Sequence, residues 1–162
     1  CEIANKGSGY VPEDQGIFGE LTVEENMKVA IKEENDVTKE RMAWILDLFP
    51  DLKTYWKKQG GYLSGGQKKM LAIARAYVNE CELLLIDEPS KGLAPIVVEK
   101  VMETIHQMKE KTTIVLVEQN FIMASKIGDH FYIVDEGRTV YNGKMNELLE
   151  NEGLRKKYLG IA

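Results

Sequence analysis

Two short runs hold residue types suited to phosphate chemistry. The first is Ser64-Gly65-Gly66-Gln67, inside YLSGGQKKMLAIARAY. Its glycines stand at the mouth of a segment that otherwise reads as a helix, although glycine inside a helix costs about 0.5–1 kcal/mol relative to alanine. Ser64 and Gln67 have the spacing of a capping box, hydroxyl first and amide three residues later. Two readings of the glycines stand side by side. One is a well-capped helix with a tight leading turn. The other is an anion site: backbone N–H groups point outward at a helix N-terminus, the macrodipole adds roughly half a positive charge, and absent Cβ atoms let a phosphate come close. On this second reading Lys68 and Lys69 belong to the solvated face of the helix.

The second run is LLLIDEP, residues 83–89. An apolar strand that ends in carboxylates marks the edge at which open α/β sheets bind ligands. Asp87 and Glu88 point to opposite sides of an extended chain and can hold different partners. Asp87 suits Mg²⁺, a hard cation content with one or two carboxylates plus water and phosphate oxygens. Glu88 suits an attacking water, as positioning group or general base. Taken singly, both are also ordinary strand-end acids.

Around these runs the sequence lays out an α/β pattern. GYVPED is a short strand stopped by Pro12. Thr22 and Glu25 form a capping box for a helix carrying Val23, Met27, Ala30 and Ile31. A polar break at Asn35-Asp36 precedes a second helix, Thr38 to Phe49, with Met42, Ile45, Leu46 and Phe49 on one face and Pro50 as its stop. Residues 52–62, polar, lysine-rich and broken by glycine, read mostly as loop or as a short helix. LLLID and TTIVLVE are apolar enough to be buried strands. Between them PIVVEKVMETIHQMKEK is a helix with Val98, Met102, Ile105 and Met108 inward. NFIMASKIG is a short helix closed by Gly128, HFYIVDEGRTVYNG a hairpin around Glu136-Gly137, and Lys144 to Leu159 a charged helical tail. The helix-rich stretch from about 20 to 80 is an insertion into a parallel core.

Bulk properties narrow the classes. The chain has 162 residues, 44% of them hydrophobic, as expected of an ordinary domain with a packed core. A formal net charge of −5 speaks against a nucleic-acid partner. No apolar run of about 18 residues is present, and CEIANKGSGY lacks the apolar centre of a secretory signal. The chain opens on Cys1 and runs at once into GYVP, which reads as the middle of a protein. Cys1 and Cys81 have no metal-ligand spacing and read as free thiols of a reducing cytoplasm, Cys81 as a buried one.

Together these residues resemble the ATP-binding-cassette (ABC) ATPases. LSGGQ (63–67) matches that family's signature and LLLIDEP its Walker B strand. GYVPE, LTVEENM, DEPSKGLAP, TTIVLVEQN and the ending RKKYLG bring the likeness closer to one branch, the ATPase subunits of branched-chain amino acid importers and the related urea or amide importers. The resemblance covers essentially the whole chain. It implies an α/β fold: part of a P-loop NTPase (ABC cassette) core with a parallel sheet, plus an inserted α-helical subdomain. Residues 1–19 would be the Q-loop strand and loop, 20–80 the helical subdomain with the signature, and 81–162 the C-terminal part of the core.

The resemblance also implies roles. Ser64, Gly65, Gly66 and Gln67 would meet the γ-phosphate of an ATP held mainly by a second ATPase subunit, in a head-to-tail dimer. Asp87 would support Mg²⁺ through water, and Glu88 would be the catalytic base. Ser90 to Pro95 would form the D-loop at the dimer seam. Glu13 falls at the Q-loop position, between nucleotide, metal and the transmembrane partner, with Gln15 as the other candidate. Gln119 occupies the switch position, where most relatives have histidine; an amide can hydrogen-bond a phosphate but cannot titrate near neutral pH. His106 and His130 are expected on a helix face and at a strand start. The implied whole is an ATP-driven importer ATPase for branched-chain amino acids, working with permease subunits from the cytoplasmic face of the membrane.

One departure stands out. The phosphate-cradling G-x-x-x-x-G-K-[ST] loop occurs nowhere in the sequence; NKGSGY and NGKM both fail the pattern. In the family it precedes the Q-loop strand, so the resemblance places it before Cys1, expects these residues alone to hydrolyse ATP poorly, and expects exposed apolar sheet surface. Two rival readings are a soluble ABC-type ATPase of DNA repair or chromosome structure, whose coiled coils would show as sustained heptads absent here, and a non-catalytic cassette remnant that acts as an interaction domain.

Overall fold

The computed structural model describes residues 7–161, so Cys1 lies outside the described residues. The chain divides into two compact units, one through Gln119 and one from Asn120 onward. The first is built on three parallel strands, β1 (Ser8–Val11), β2 (Leu83–Asp87) and β3 (Thr113–Val117), in the order β1-β2-β3. Tyr10, Leu85 and Val115 stand in one row across the sheet, and Asp87 stands beside Val117. Between and after the strands run α1 (Val23–Ala30), α2 (Asp36–Leu48), α3 (Pro50–Thr54), a 3₁₀ turn (Gly60–Tyr62), α4 (Gly65–Tyr77) and α5 (Pro95–Met108).

Local chemistry accounts for most of these boundaries. The Thr22–Glu25 capping box forms, and it sends Val23 and Met27 fully into the core. The polar break before α2 is itself a cap: Asn35 Oδ1 accepts the Thr38 N–H at 2.9 Å. Pro50 does stop α2, but it also begins α3 at a position where its missing N–H is no loss. At the far end of α4, Arg41 Nη1 donates to the carbonyls of Tyr77 (3.2 Å) and Asn79 (3.1 Å), which a helix terminus leaves without partners.

Four expectations are corrected by burial. In β2 only Leu84 and Ile86 are fully enclosed, while Leu83, Leu85 and Asp87 on the other face are half-buried. TTIVLVE is an edge strand of this sheet, with Val115 and Val117 exposed; an apolar run alone does not separate centre from edge. Lys69 is not on the solvated face: it is 1% exposed, within the core side of α4 beside Leu71, Ala72 and Ile73. In α5 the inward face is turned slightly from the expected one, with Val101, Thr104, Ile105 and Met108 buried and Val98 and Met102 half-buried. Cys81 is buried and free, as expected.

The second unit holds α6 (Phe121–Ile127), the antiparallel pair β4 (His130–Asp135) and β5 (Arg138–Lys144), α7 (Met145–Glu150) and α8 (Glu152–Leu159). Glu136 and Gly137, both at positive φ (45° and 74°), make the tight turn the sequence predicts. Phe131 and Ile133 pack on Met145, Leu148 and Leu154. The charged tail is two helices, because Asn151 interrupts it and caps α8 by accepting the Leu154 N–H at 2.9 Å. Among the described residues no helix is long and apolar enough to cross a membrane.

Candidate functional site

The C-terminal edge of the parallel sheet gathers the acidic residues. β2 delivers Asp87, whose Oδ2 lies 3.4 Å from the hydroxyl of Tyr10 on the neighbouring strand. Glu88 follows in the left-handed backbone region, at φ 44°, with its N–H bonded to Val117 O at 2.9 Å. The bend turns its side chain inward, where it is 8% exposed. Burial pushes the Glu88 carboxyl above the ordinary carboxylate range, and the charge of Glu118 adds to the effect; a hydrogen bond from the Gln119 backbone N–H works in the opposite sense. A carboxyl so placed holds a proton more readily than a solvated one, which is the property a general base needs.

The loop after β1 reaches the same edge. Glu13 is half-exposed, and its Oε1 takes the Lys91 ammonium at 2.6 Å. That bond and the nearby positive charge hold the Glu13 carboxyl below its usual range. Glu118 Oε1 accepts the Ser90 N–H at 2.9 Å and so fixes the turn that carries Lys91. Glu88 and Gln119 are thus joined, and Glu13 is tied to the Ser90–Pro95 loop. His106 and His130 are exposed on a helix face and at a strand start, as the sequence suggests.

The signature residues form a different surface, the start of α4. Ser64 Oγ accepts the Gln67 N–H at 3.3 Å, and Gln67 Oε1 accepts the Ser64 N–H at 3.0 Å. Ser64 and Gly65 are exposed, and the first turn contains no acid. Among the described residues no acceptor meets the N–H groups of Gly65 or Gly66. The two glycines differ. A Cβ on Gly65 would only touch Leu93 at 3.7 Å, whereas a Cβ on Gly66 would come within 2.3 Å of Val97 Cγ1 on α5. Gly66 is bare because another helix packs there. No hydrogen bond or ion pair among the described residues joins Ser64–Gln67 to Asp87 or Glu88.

Sequence reasoning missed Tyr10, Lys69, Lys91 and Glu118. For Lys69 a signal existed: it lies one helical turn before Ala72 and Ile73, on the stripe that the apolar period assigns to the core. For Lys91 and Glu118 the contacts depend on strand register, and a single sequence does not reveal it.

Parallel strands with carboxylates at their C-terminal edge define an α/β fold whose sheet edge is of the ligand-binding type. Comparison with known proteins narrows the class. The profile of the ABC transporter family matches residues 1–91. The chain is 40% identical over 159 residues to a probable branched-chain amino acid transport ATP-binding protein of Archaeoglobus fulgidus, covering 96% of this chain and 67% of that one. It is 41% identical over 160 residues to a high-affinity branched-chain amino acid transport ATP-binding protein of Pseudomonas aeruginosa, covering 98% and 69%. A solved ATP-binding subunit of an ABC transporter superposes with a TM-score of 0.77 at 27% identity, covering 96% of this chain and 66% of the other. The chain belongs to the ABC transporter family, among its ATP-binding proteins, and spans about two thirds of the length of these relatives.

Proposed function

We propose that the full-length protein is the ATP-hydrolysing subunit of an ABC importer for branched-chain amino acids. The observation that carries this is the identity of 40–41% to two branched-chain amino acid transport ATP-binding proteins over 159 and 160 residues, a span that takes in both surfaces rather than one motif. The donor set at the start of α4 fits phosphate oxygens: exposed Ser64, the N–H groups of Gly65 and Gly66, and a first turn free of carboxylates. Gln67 keeps that turn closed through the capping box.

At the other surface Asp87, whose one hydrogen-bond contact among the described residues is with Tyr10 at 3.4 Å, has capacity for a hard cation, with Glu13 as a second carboxylate on the same edge. Mg²⁺ bound there would neutralise charge on the phosphate oxygens. Glu88 accepts the proton of the attacking water, and Gln119 orients phosphate or water without changing charge. Because the donors at α4 and the acids at β2 are separate surfaces, a complete site needs α4 from a second ATPase subunit, arranged head to tail. The remaining partners are transmembrane permease subunits, and the location is the cytoplasmic face of the membrane.

The test is Mg²⁺-dependent ATP hydrolysis by the full-length protein and by its Glu88→Gln variant. Turnover is expected to fall by about 10²- to 10⁴-fold with nucleotide binding retained, the usual contribution of a positioned base. Hydrolysis at the unmodified rate in the variant would overturn the assignment.

A further inference from the structure

Lys69 is the residue that neither the sequence nor the chemistry above absorbs. A lysine 1% exposed is unusual, since an ammonium leaves water only at a large cost unless its donors are satisfied. Its Nζ lies 3.0 Å from Glu13 O and 3.4 Å from Pro12 O. Both acceptors are backbone atoms of the loop that carries the Glu13 carboxylate. Pro12 O also accepts the Gln15 N–H at 3.2 Å, which closes a turn with Gln15 and Gly16 both at positive φ (70° and 54°).

The same helix grips the loop's far end. Arg75 Nη1 donates to Gly16 O, and its guanidinium lies 4.7 Å from the Phe18 ring centre. Lys69 and Arg75 are six residues apart, a rise of about 9 Å along a helix, so one helix fastens the loop at two places. From outside, Lys91 holds the Glu13 carboxylate. Glu13, Asp87, Asp14 and Glu118 all exert favourable charge on Lys69, which offsets part of the burial that draws its own proton affinity down.

We propose that Lys69 is a positioning residue that fixes the Glu13 loop to the α4 helix and thereby sets where the Glu13 carboxylate stands at the edge of the sheet. The link acts through backbone carbonyls, so it sets where Glu13 stands without requiring its side chain. The role in turnover rests on the function proposed above; the attachment itself does not.

The experiment compares Lys69→Met, Lys69→Arg and the unaltered full-length protein. In nucleotide-free protein, amide hydrogen exchange of residues 13–18 is expected to quicken by about tenfold or more in Lys69→Met, with exchange in α5 unchanged, and to return towards the original rate in Lys69→Arg. In hydrolysis, kcat should fall about tenfold in Lys69→Met with KM for Mg-ATP within about twofold, and Lys69→Arg should recover most of it. Unchanged exchange at 13–18, exchange quickened across the whole molecule, or no recovery with arginine would each overturn the attachment. Faster loop exchange with unaltered kcat would overturn the positioning role in turnover. A full-length protein without ATP hydrolysis, yet with the exchange pattern described, would refute the proposed function and leave the attachment standing.

Discussion

At the start of α1, Thr22 and Glu25 close a capping box; at the start of α4, Ser64 and Gln67 close another. Around the two boxes the chemistry parts. The first turn of α1 carries Glu24 and Glu25, and its leading N–H groups are taken: Val23 N bonds Lys58 O at 2.9 Å and Glu24 N bonds Trp56 O at 3.0 Å. The α4 turn carries no acid, closes its box with a neutral amide, and leaves the N–H groups of Gly65 and Gly66 without an acceptor among the described residues. A helix start is therefore not an anion site by geometry alone. What differs is whether the chain has already neutralised and covered it.

The sharpest way to break the contrast is to give α4 the acid that α1 has. Gly65→Asp adds a carboxylate where no neighbour lies closer than Leu93 at 3.7 Å. ATP hydrolysis by the full-length protein should drop about 100-fold, with its thermal midpoint almost unmoved, since a carboxylate at the helix start is favourable to the helix and unfavourable to phosphate. A variant that keeps its turnover would show that the α4 start meets no anion.

Gly66→Ala probes the neighbouring position by packing instead of charge. Its Cβ meets Val97, a β-branched side chain with little rotamer freedom. Stability measured by urea unfolding should fall by about 1–3 kcal/mol, the usual range for overpacking. Val97→Ala in the same chain should return part of that loss, giving a coupling that a ligand-only role for Gly66 does not produce.

The smallest effects come from the boxes themselves. Thr22→Ala and Ser64→Ala should each cost about 1 kcal/mol near neutral pH, the common value for losing a helix cap. Their pH dependence should differ. Hydrogen bonds from the Thr22 backbone and hydroxyl hold the Glu25 carboxyl below its ordinary range. A depressed native value means stability that is present above the unfolded pKa and lost as pH falls through the native one. The penalty of Thr22→Ala should shrink in unfolding experiments run below about pH 4, while that of Ser64→Ala stays constant, because Gln67 does not titrate. Equal shrinkage at both sites would remove the distinction drawn between the boxes.

Both boxes were readable in the sequence because their partners are three residues apart and need nothing from the rest of the fold. The same holds for β2, for the hairpin turn at Glu136-Gly137 and for the acids that end LLLID. What escaped depends on distant neighbours. TTIVLVE and LLLID are equally apolar, yet only their order in the sheet makes one an edge and the other a centre. The helical period places Lys69 on the core stripe, but the partners of its ammonium, the loop carbonyls of Pro12 and Glu13 more than fifty positions away along the chain, appear only in the fold. The likeness to a family supplied the residue roles at the site; the local pattern supplied its geometry only up to the helix and strand ends.

Glu88 holds a backbone conformation, φ 44°, that costs a residue with a Cβ about 1 kcal/mol and that glycine adopts freely. The simplest way to relax this bend is to delete the very side chain it aims. Sturdier descendants of this chain must therefore seek their durability at other positions, and heat tolerance cannot be selected here while the carboxylate is kept.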